Sequence, residues 1–209
     1  TCALPILNYA YENIHFPESP EALDIARRRL AFEELFFFAI GLKLLRSRRE
    51  TVDVVPFQNV DMAPFYRSLP FTLTDAQRRC VEEAIGDMCS GKPMNRLCQG
   101  DVGSGKTMVA AACVYFCVKN GRQAALMAPT ELLADQHYRG LAPLLEKLNI
   151  RCALLTGSTP ARTKRSVTAQ LASGEIDFAI GTHALISDSV AYADLGLVVT
   201  DEQDRKSVV

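Results

Sequence analysis

We predict an α/β fold in which helices cover a central parallel sheet and a long helix precedes the sheet domain. Beyond Pro70, short apolar runs alternate with helical segments, which is the pattern of βαβ units on a parallel sheet. Upstream, apolar side chains recur at helical spacing over about 30 residues. A loop rich in proline and polar residues, Thr51 to Pro70, separates the two patterns, and we place the domain boundary there.

The composition is that of a folded protein with a sizeable core. The 209 residues correspond to about 1.4 domains of ordinary size, and 48% of them are hydrophobic against 22% charged. The net charge of −1 excludes a polycation that holds nucleic acid by bulk charge alone. Seven cysteines without a CxxC pair and three scattered histidines favour buried thiols in a reducing cytoplasm over a disulfide framework or a zinc site. No apolar stretch reaches the roughly 20 residues of a membrane span, so we expect no membrane partner.

The N-terminal 50 residues predict an extended connecting segment followed by a long helix. Residues 1–20 contain three prolines and are expected to be extended. Ser19 is placed to cap a helix with Pro20 at its first position, and residues 21–50 then form a long helix of roughly 45 Å. Two arginine clusters on this helix, 27–29 and 46–49, fit a solvated face better than a phosphate site.

The elements after residue 70 follow in a regular order. Helix starts are expected at Thr74, Lys106, Thr130 and Pro160, and Asn120-Gly121 is expected to end the second of these helices. Between the helices, apolar runs predict five strands: Asn95–Gln99, Gln123–Ala128, Arg151–Thr156, Asp177–Ile180 and Leu195–Thr200.

A phosphate-binding loop lies between the first predicted strand and the second helix. Residues 100–107, GDVGSGKT, match GxxxxGK[ST] in full. Gly100, Gly103 and Gly105 let the backbone curl so that N–H groups, including that of Ser104, point at one anion. Lys106 is then expected to reach the β- and γ-phosphates of ATP and Thr107 to ligate Mg²⁺. The alternative is a plain glycine-rich turn with an exposed lysine.

The last predicted strand supplies the carboxylates that such a loop needs. It ends in Asp201 and Glu202, with Asp201 expected to face the metal and Glu202 to activate the attacking water. We therefore expect Lys106, Asp201 and Glu202 to be catalytic, and Thr107 and Asp201 to hold Mg²⁺. Two acids that merely end a strand in solvent are the alternative.

These residues resemble the superfamily-two DNA helicases, and among them the RecG-type branch-migration helicases. Phe71 to Gln77 looks like the motif that reads adenine, with Phe71 and Gln77 as its side chains, although Thr74-x-x-Gln77 is also a capping box. Residues 128–134, 156–158 and 180–185 resemble loops that hold one DNA strand by its phosphates. The resemblance implies a RecA-like P-loop domain and DNA contacts from Pro129, Thr130, Gly157, Thr182 and His183.

Both ends of the chain bear on this resemblance. Residues 14–19 and 26–35 look like the segment that joins the RecG wedge domain to its motor, which favours RecG over the related motor of transcription-repair coupling factors. Asp201-Glu202-Gln203 resembles the start of the DEQH box, but Asp204 replaces the histidine and residues 206–209 depart from the pattern. The resemblance extends over about residues 12–205.

The resemblance implies the ATP-binding lobe of an ATP-dependent helicase that remodels replication forks and Holliday junctions in recombination and repair. We expect a monomer with residues 1–20 as the end of the wedge connection, 21–50 as the linker helix, 51–70 as a loop and 71–209 as a C-terminally truncated lobe. By the same resemblance, we expect a second RecA-like lobe and the wedge domain to be missing from this chain. We therefore expect weak turnover, because a missing arginine finger costs about 10³ to 10⁵ in rate.

Three alternatives stay open at this point. The chain could be the motor lobe of a transcription-repair coupling translocase. A metabolic P-loop kinase would use the same phosphate loop, but no arginine-rich lid is recognisable. A non-catalytic nucleotide-binding module would account for Asp204 and the divergent tail.

Overall fold

The computed structural model describes residues 5–47 and 54–201. The chain divides into two compact units, residues 1–52 and 53–209. Among the described residues, no helix is long and apolar enough to cross a membrane.

The first unit contains two helices, α1 (Leu7–His15) and α2 (Pro20–Ser47). The predicted cap of α2 is confirmed, since Ser19 Oγ accepts a hydrogen bond of 3.1 Å from the N–H of Ala22. The extended connection predicted for residues 1–20 is wrong where α1 forms. Pro5 lies before this helix and Pro17 after it, so the prolines bound a helical segment instead of extending it.

Two arginines of the first cluster on α2 form ion pairs within the helix. Arg28 pairs with Asp24 at 2.6 Å, and Arg29 pairs with Glu33 and donates to the carbonyl of Pro5 at 2.9 Å. Arg28 is largely exposed, as expected of a solvated face, whereas Arg29 is mostly covered. Arginines 46–49 lie outside the described side chains.

The second unit is a four-stranded parallel sheet with helices around it. Its strands are β1 (Gln123–Met127), β2 (Cys152–Leu155), β3 (Phe178–Gly181) and β4 (Leu195–Thr200), in the order β2-β3-β1-β4. The remaining helices are α3 (Ala63–Ser68), α4 (Asp75–Met88), α5 (Lys106–Lys119), α6 (Glu131–Glu146) and α7 (Ala161–Ala172), with a 3₁₀ turn at His183–Ile186. The predicted α/β class is therefore confirmed, as are the four helix starts.

One predicted strand is absent. Residues 95–99 form no strand, and Leu97 is 79% exposed. Arg96 is drawn towards α4, because its guanidinium donates to Asp87 at 2.8 Å and to Glu83 at 2.6 Å. Within the described residues β4 pairs with β1 alone, so the apolar run before the phosphate loop has no strand partner.

The loop predicted from residue 51 to 70 also contains regular structure. Asp61 Oδ1 accepts a hydrogen bond of 2.9 Å from the N–H of Ala63, where α3 begins. Phe65 of this helix is fully buried and packs against Tyr115 of α5. Burial of this aromatic ring fixes a short helix that the proline-rich sequence alone does not reveal.

Helix α5 runs through the core of the second unit. Residues 111–117 of this helix are all buried, and the helix packs on β1 and β4. Its Cys113 and Cys117 are buried thiols, and burial raises the pKa of each to about 12. The six described cysteines are all free, as the sequence predicts, although Cys98 is exposed.

Candidate functional site

The phosphate loop joins an exposed segment to the N-terminus of α5. Gly103 and Gly105 adopt positive φ angles of 81° and 79°, a region that residues with a Cβ enter only at a cost. A turn precedes Gly105, since the carbonyl of Asp101 accepts a hydrogen bond of 3.1 Å from the N–H of Ser104. The loop therefore has the curled backbone that presents amide groups to an anion at a helix start.

Lys106 lies over this loop. Its Nζ donates to the carbonyls of Gly100 at 2.6 Å and Asp101 at 2.8 Å, so the ammonium group is held within the curl. An ammonium group at this position can donate charge-assisted hydrogen bonds to phosphate oxygens in place of the two carbonyls. The lysine that the motif predicts to bind phosphate therefore lies over the curled loop.

Gln77 connects the capping box of α4 with the phosphate loop. Its Oε1 accepts from the N–H of Thr74 at 2.9 Å, and Thr74 Oγ1 accepts from the N–H of Gln77 at 3.3 Å. The other end of the amide, Nε2, donates to the carbonyl of Ser104 at 2.8 Å. Gln77 thus fixes the loop against α4, while Phe71 is half exposed six residues earlier.

Asp201 directly follows β4 and is held by two contacts. Its backbone N–H donates to the carbonyl of Met127 at 2.9 Å, and His137 Nε2 lies 2.7 Å from its Oδ2. Thr107 is partly buried in the first turn of α5, the helix that packs on β4. A hydroxyl and a carboxylate are the hard oxygen donors that Mg²⁺ prefers. Glu202 lies outside the described residues.

The donor count also suits a phosphate-bound cation. No group of three or more His, Cys, Asp or Glu side chains that could hold a metal occurs in the described part of the chain. Magnesium in nucleotide sites takes only one or two protein oxygens and completes its shell with phosphate and water. The residues that would hold such an ion in this chain are the expected ligands Thr107 and Asp201.

A second cluster of loops follows β1, β2 and β3. Thr130 Oγ1 caps α6 by accepting from the N–H of Leu133 at 3.3 Å. The next residue, Glu131, accepts from the N–H of Ser158 at 2.9 Å and from its hydroxyl at 2.6 Å. These hydrogen bonds hold the pKa of Glu131 below its ordinary value. The loop after β1 is therefore fastened to the loop after β2.

The remaining predicted residues of this loop cluster differ in exposure. Pro129, Thr130, Gly157 and His183 are exposed. Thr182 is buried, and its hydroxyl has no hydrogen-bond partner among the described residues. The N–H of Ala128 donates to the carbonyl of Gly181 at 2.8 Å, which joins the loops after β1 and β3. Because the strands are parallel, all three loops leave the same edge of the sheet.

Comparison with known proteins decides the family. The DEAD/DEAH box helicase profile matches residues 74–208. The chain belongs to the DEAD/DEAH box helicase family. It is 46% identical over 208 residues to the ATP-dependent DNA helicase RecG of Bacillus subtilis, covering 98% of this chain and 30% of that relative. The RecG of Thermotoga maritima is 46% identical over 201 residues, which are 95% of this chain and 26% of that protein.

A solved structure extends the comparison to three dimensions. The structure of RecG bound to a three-way DNA junction matches with a TM-score of 0.85 and 45% identity, covering 96% of this chain and 28% of that one. The RecG-type resemblance and the RecA-like fold are thus confirmed. This helicase-family chain spans between a quarter and a third of the length of the relatives named here.

Several contacts in this helicase-family chain were not predicted. The sequence indicates His137 only as one of three scattered histidines, and it gives Glu131 and Ser158 no individual role within the loops that resemble DNA-holding motifs. Each of these residues pairs with a partner far along the chain, His137 with Asp201 and Glu131 with Ser158. The signal that the sequence offers for Glu131 and Ser158 is their position in those two loops, each after a predicted strand.

Proposed function

We propose that this chain is the ATP-binding lobe of an ATP-dependent DNA helicase that remodels branched DNA. The phosphate loop carries this proposal, because its left-handed glycines, Lys106 and the start of α5 form the cradle that nucleotide phosphates require. Family membership implies the use of ATP. The RecG relatives favour this function over a transcription-repair coupling translocase or a non-catalytic module.

Lys106, Thr107 and Asp201 have distinct roles in the proposed ATP site. Lys106 exchanges its two carbonyl partners for the β- and γ-phosphates, and an incoming polyanion favours that exchange. Thr107 and Asp201 would hold the Mg²⁺ ion, and the ion would supply positive charge next to the transferred phosphate. Glu202 orients the attacking water.

Adenine recognition is assigned to Gln77 and Phe71. The half-exposed ring of Phe71 offers a stacking surface. Gln77 offers a side-chain amide, which would exchange its contacts with Thr74 and Ser104 for the donor and acceptor of the adenine edge.

DNA is assigned to the loop cluster formed by Pro129, Thr130, Gly157, Thr182 and His183. A chain with a net charge of −1 must bind phosphates by local donors instead of a basic face. Exposed Arg162 and Arg165 near the start of α7 add positive charge beside the loop after β2. The RecG relative is bound to a three-way DNA junction, and this supports branched DNA as the substrate of the whole protein.

The proposal also concerns the state of the whole protein. We propose a monomer in the cytoplasm that carries a second RecA-like lobe and a wedge domain beyond the present chain. Free thiols at all six described cysteines support a reducing location.

Nucleotide binding by this chain tests the ATP assignment. Titration with a fluorescent ATP analogue should give saturable, Mg²⁺-dependent binding. Lys106→Ala should weaken that binding at least tenfold, because a charge-assisted contact to phosphate is lost. Lys92→Ala removes the same charge from an exposed turn and serves as the matched control. Equal affinities for all three proteins would refute the assignment.

Photo-cross-linking tests the DNA assignment. An oligonucleotide fork with a photoreactive strand should cross-link to the loop cluster, and a blunt duplex should do so less efficiently. Mass spectrometry of the cross-linked peptides gives the position. Cross-links confined to α2 or to the surface opposite the loop cluster would contradict the assigned interface.

A further inference from the structure

His137 makes a contact that the proposed roles do not use. It lies on α6, and its Nε2 is 2.7 Å from Asp201 Oδ2. The imidazole is 15% exposed and the carboxylate 33% exposed, so the contact is shielded from water on most sides. Because a carboxylate has no hydrogen to give, Nε2–H donates and Asp201 accepts.

This contact completes the positioning of Asp201. The backbone N–H of Asp201 donates to the carbonyl of Met127, which fixes the end of β4 against β1. That bond leaves the side-chain torsions of Asp201 free. The bond from His137 restrains them by occupying Oδ2, and Oδ1 is left for another partner.

We infer that His137 is a positioning residue that orients the Asp201 carboxylate towards the Mg²⁺ ion of the nucleotide site. This inference rests on the proposed function, since it assumes that Asp201 serves Mg²⁺. Partners outside the metal shell hold a ligand in its binding orientation, and their loss typically costs about 10- to 100-fold in metal affinity. Asp201 is the one carboxylate among the proposed Mg²⁺ ligands, so the metal site depends directly on its orientation.

The experiment measures the Mg²⁺ dependence of nucleotide binding by this chain. A fluorescent ATP analogue is held at fixed concentration, and Mg²⁺ is titrated. His137→Ala should raise the Mg²⁺ concentration at half-saturation about 10- to 100-fold. Affinity for the analogue in the presence of EDTA should stay within about twofold of the wild-type value, because the hydrogen bond given for His137 within the described part of the chain is to Asp201 and not to the phosphate loop. Gln136→Ala, at the exposed neighbouring position of α6, is the control and should match the wild type.

A double-mutant cycle separates positioning from general damage to the fold. Asp201→Asn alone should weaken the Mg²⁺ response strongly, and adding His137→Ala to it should change the response less than about threefold. His137→Gln places a side-chain N–H near the position of Nε2 and should recover most of the wild-type response. Circular dichroism checks the fold of every variant, and His137→Leu replaces His137→Ala if the alanine variant is unfolded.

The outcomes have separate meanings. A normal Mg²⁺ response in the folded His137→Ala or His137→Leu variant overturns the inference and leaves the ATP assignment intact. Equal losses from the His137 change in the wild-type and Asp201→Asn backgrounds also overturn it, because the residue then acts elsewhere. Absence of Mg²⁺-dependent binding by the wild-type chain overturns both the inference and the proposed nucleotide site.

Discussion

Two glycines of the phosphate loop have nearly the same backbone conformation and different surroundings. Gly103 has φ 81° and a Cβ built on it would meet nothing within 4 Å. Gly105 has φ 79°, and its Cβ would lie 2.3 Å from Nε2 of Gln77. Alanine at Gly103 therefore tests backbone strain alone, whereas alanine at Gly105 tests strain together with displacement of the Gln77 amide.

The structure allows both costs to be estimated. A residue with a Cβ in the left-handed region costs about 1–2 kcal/mol. Displacement of the Gln77 amide adds the loss of its hydrogen bond to Ser104, worth about 0.5–1.5 kcal/mol net. Each variant loop relaxes to avoid its strain, and nucleotide binding must restore the curled backbone. We expect about tenfold weaker binding for Gly103→Ala and about 50-fold for Gly105→Ala, since 1.4 kcal/mol is tenfold.

The assay is fluorescence titration of an ATP analogue with the chain and its variants. The same two glycine substitutions are repeated in a Gln77→Ala background, where the amide no longer occupies the space beside Gly105. There Gly105→Ala should cost the same as Gly103→Ala, about tenfold. An unchanged difference between the two glycine variants in the Gln77→Ala background would refute the reasoning, because the extra cost would then not come from Gln77.

Three further predictions concern the sheet that carries the site, and urea unfolding measures each. Gly181→Ala places a Cβ 1.9 Å from a backbone oxygen of β2 and should lower the free energy of unfolding by about 3 kcal/mol, whereas Gly140→Ala in open space on α6 should raise it by about 0.5–1 kcal/mol. Gln123→Leu leaves two buried carbonyls without their donor and should lower it by about 3 kcal/mol; a loss below 1 kcal/mol would contradict this. Burial acts to raise the pKa of Asp177, but hydrogen bonds from Arg151 outweigh burial and hold this pKa below its ordinary 3.8. The Asp177 carboxylate therefore stabilises the fold above pH 3.8, and this contribution is lost as the pH falls through the pKa of the folded state. Asp177→Asn should therefore be less acid-sensitive below that pH than the wild type.

Most of the sheet domain could be predicted because its signals are local. The run Leu195–Thr200 is apolar and bounded by polar residues, and it forms β4 with the predicted limits. Thr74 and Thr130 start helices through hydrogen bonds to residues three positions ahead. Such contacts depend on neighbouring sequence alone, so the sequence is sufficient to place them.

Elements that depend on distant partners were not predicted correctly. The segment 95–99 has the apolar character of a strand, but a strand also needs a neighbour, and residues far along the chain determine whether one is available. Helix α3 shows the reverse case, since burial of Phe65 against Tyr115 stabilises a helix whose proline-rich sequence predicts a loop. Sequence periodicity indicates which secondary structure a segment favours, but it does not indicate which other segment packs against it.

In the candidate site, too, the local features could be predicted and the long-range contacts could not. The phosphate loop is eight consecutive residues, and its chemistry could be read from their order. Asp201 and His137 are 64 positions apart, and Glu131 and Ser158 are 27 apart. No spacing rule connects such pairs, because the crossover helices and the strand order bring them together.

Helix α6 links the two groups of residues assigned to ATP and to DNA. Its first residue, Glu131, holds the loop after β2, and His137, about 9 Å further along the helix axis, holds Asp201. Thr130 caps the helix and Ala134 is buried between the two contacts, so the segment is fixed at its start and packed along its length. Helix α6 therefore carries both contacts on one element, one to the loop assigned to DNA and one to the proposed Mg²⁺ ligand.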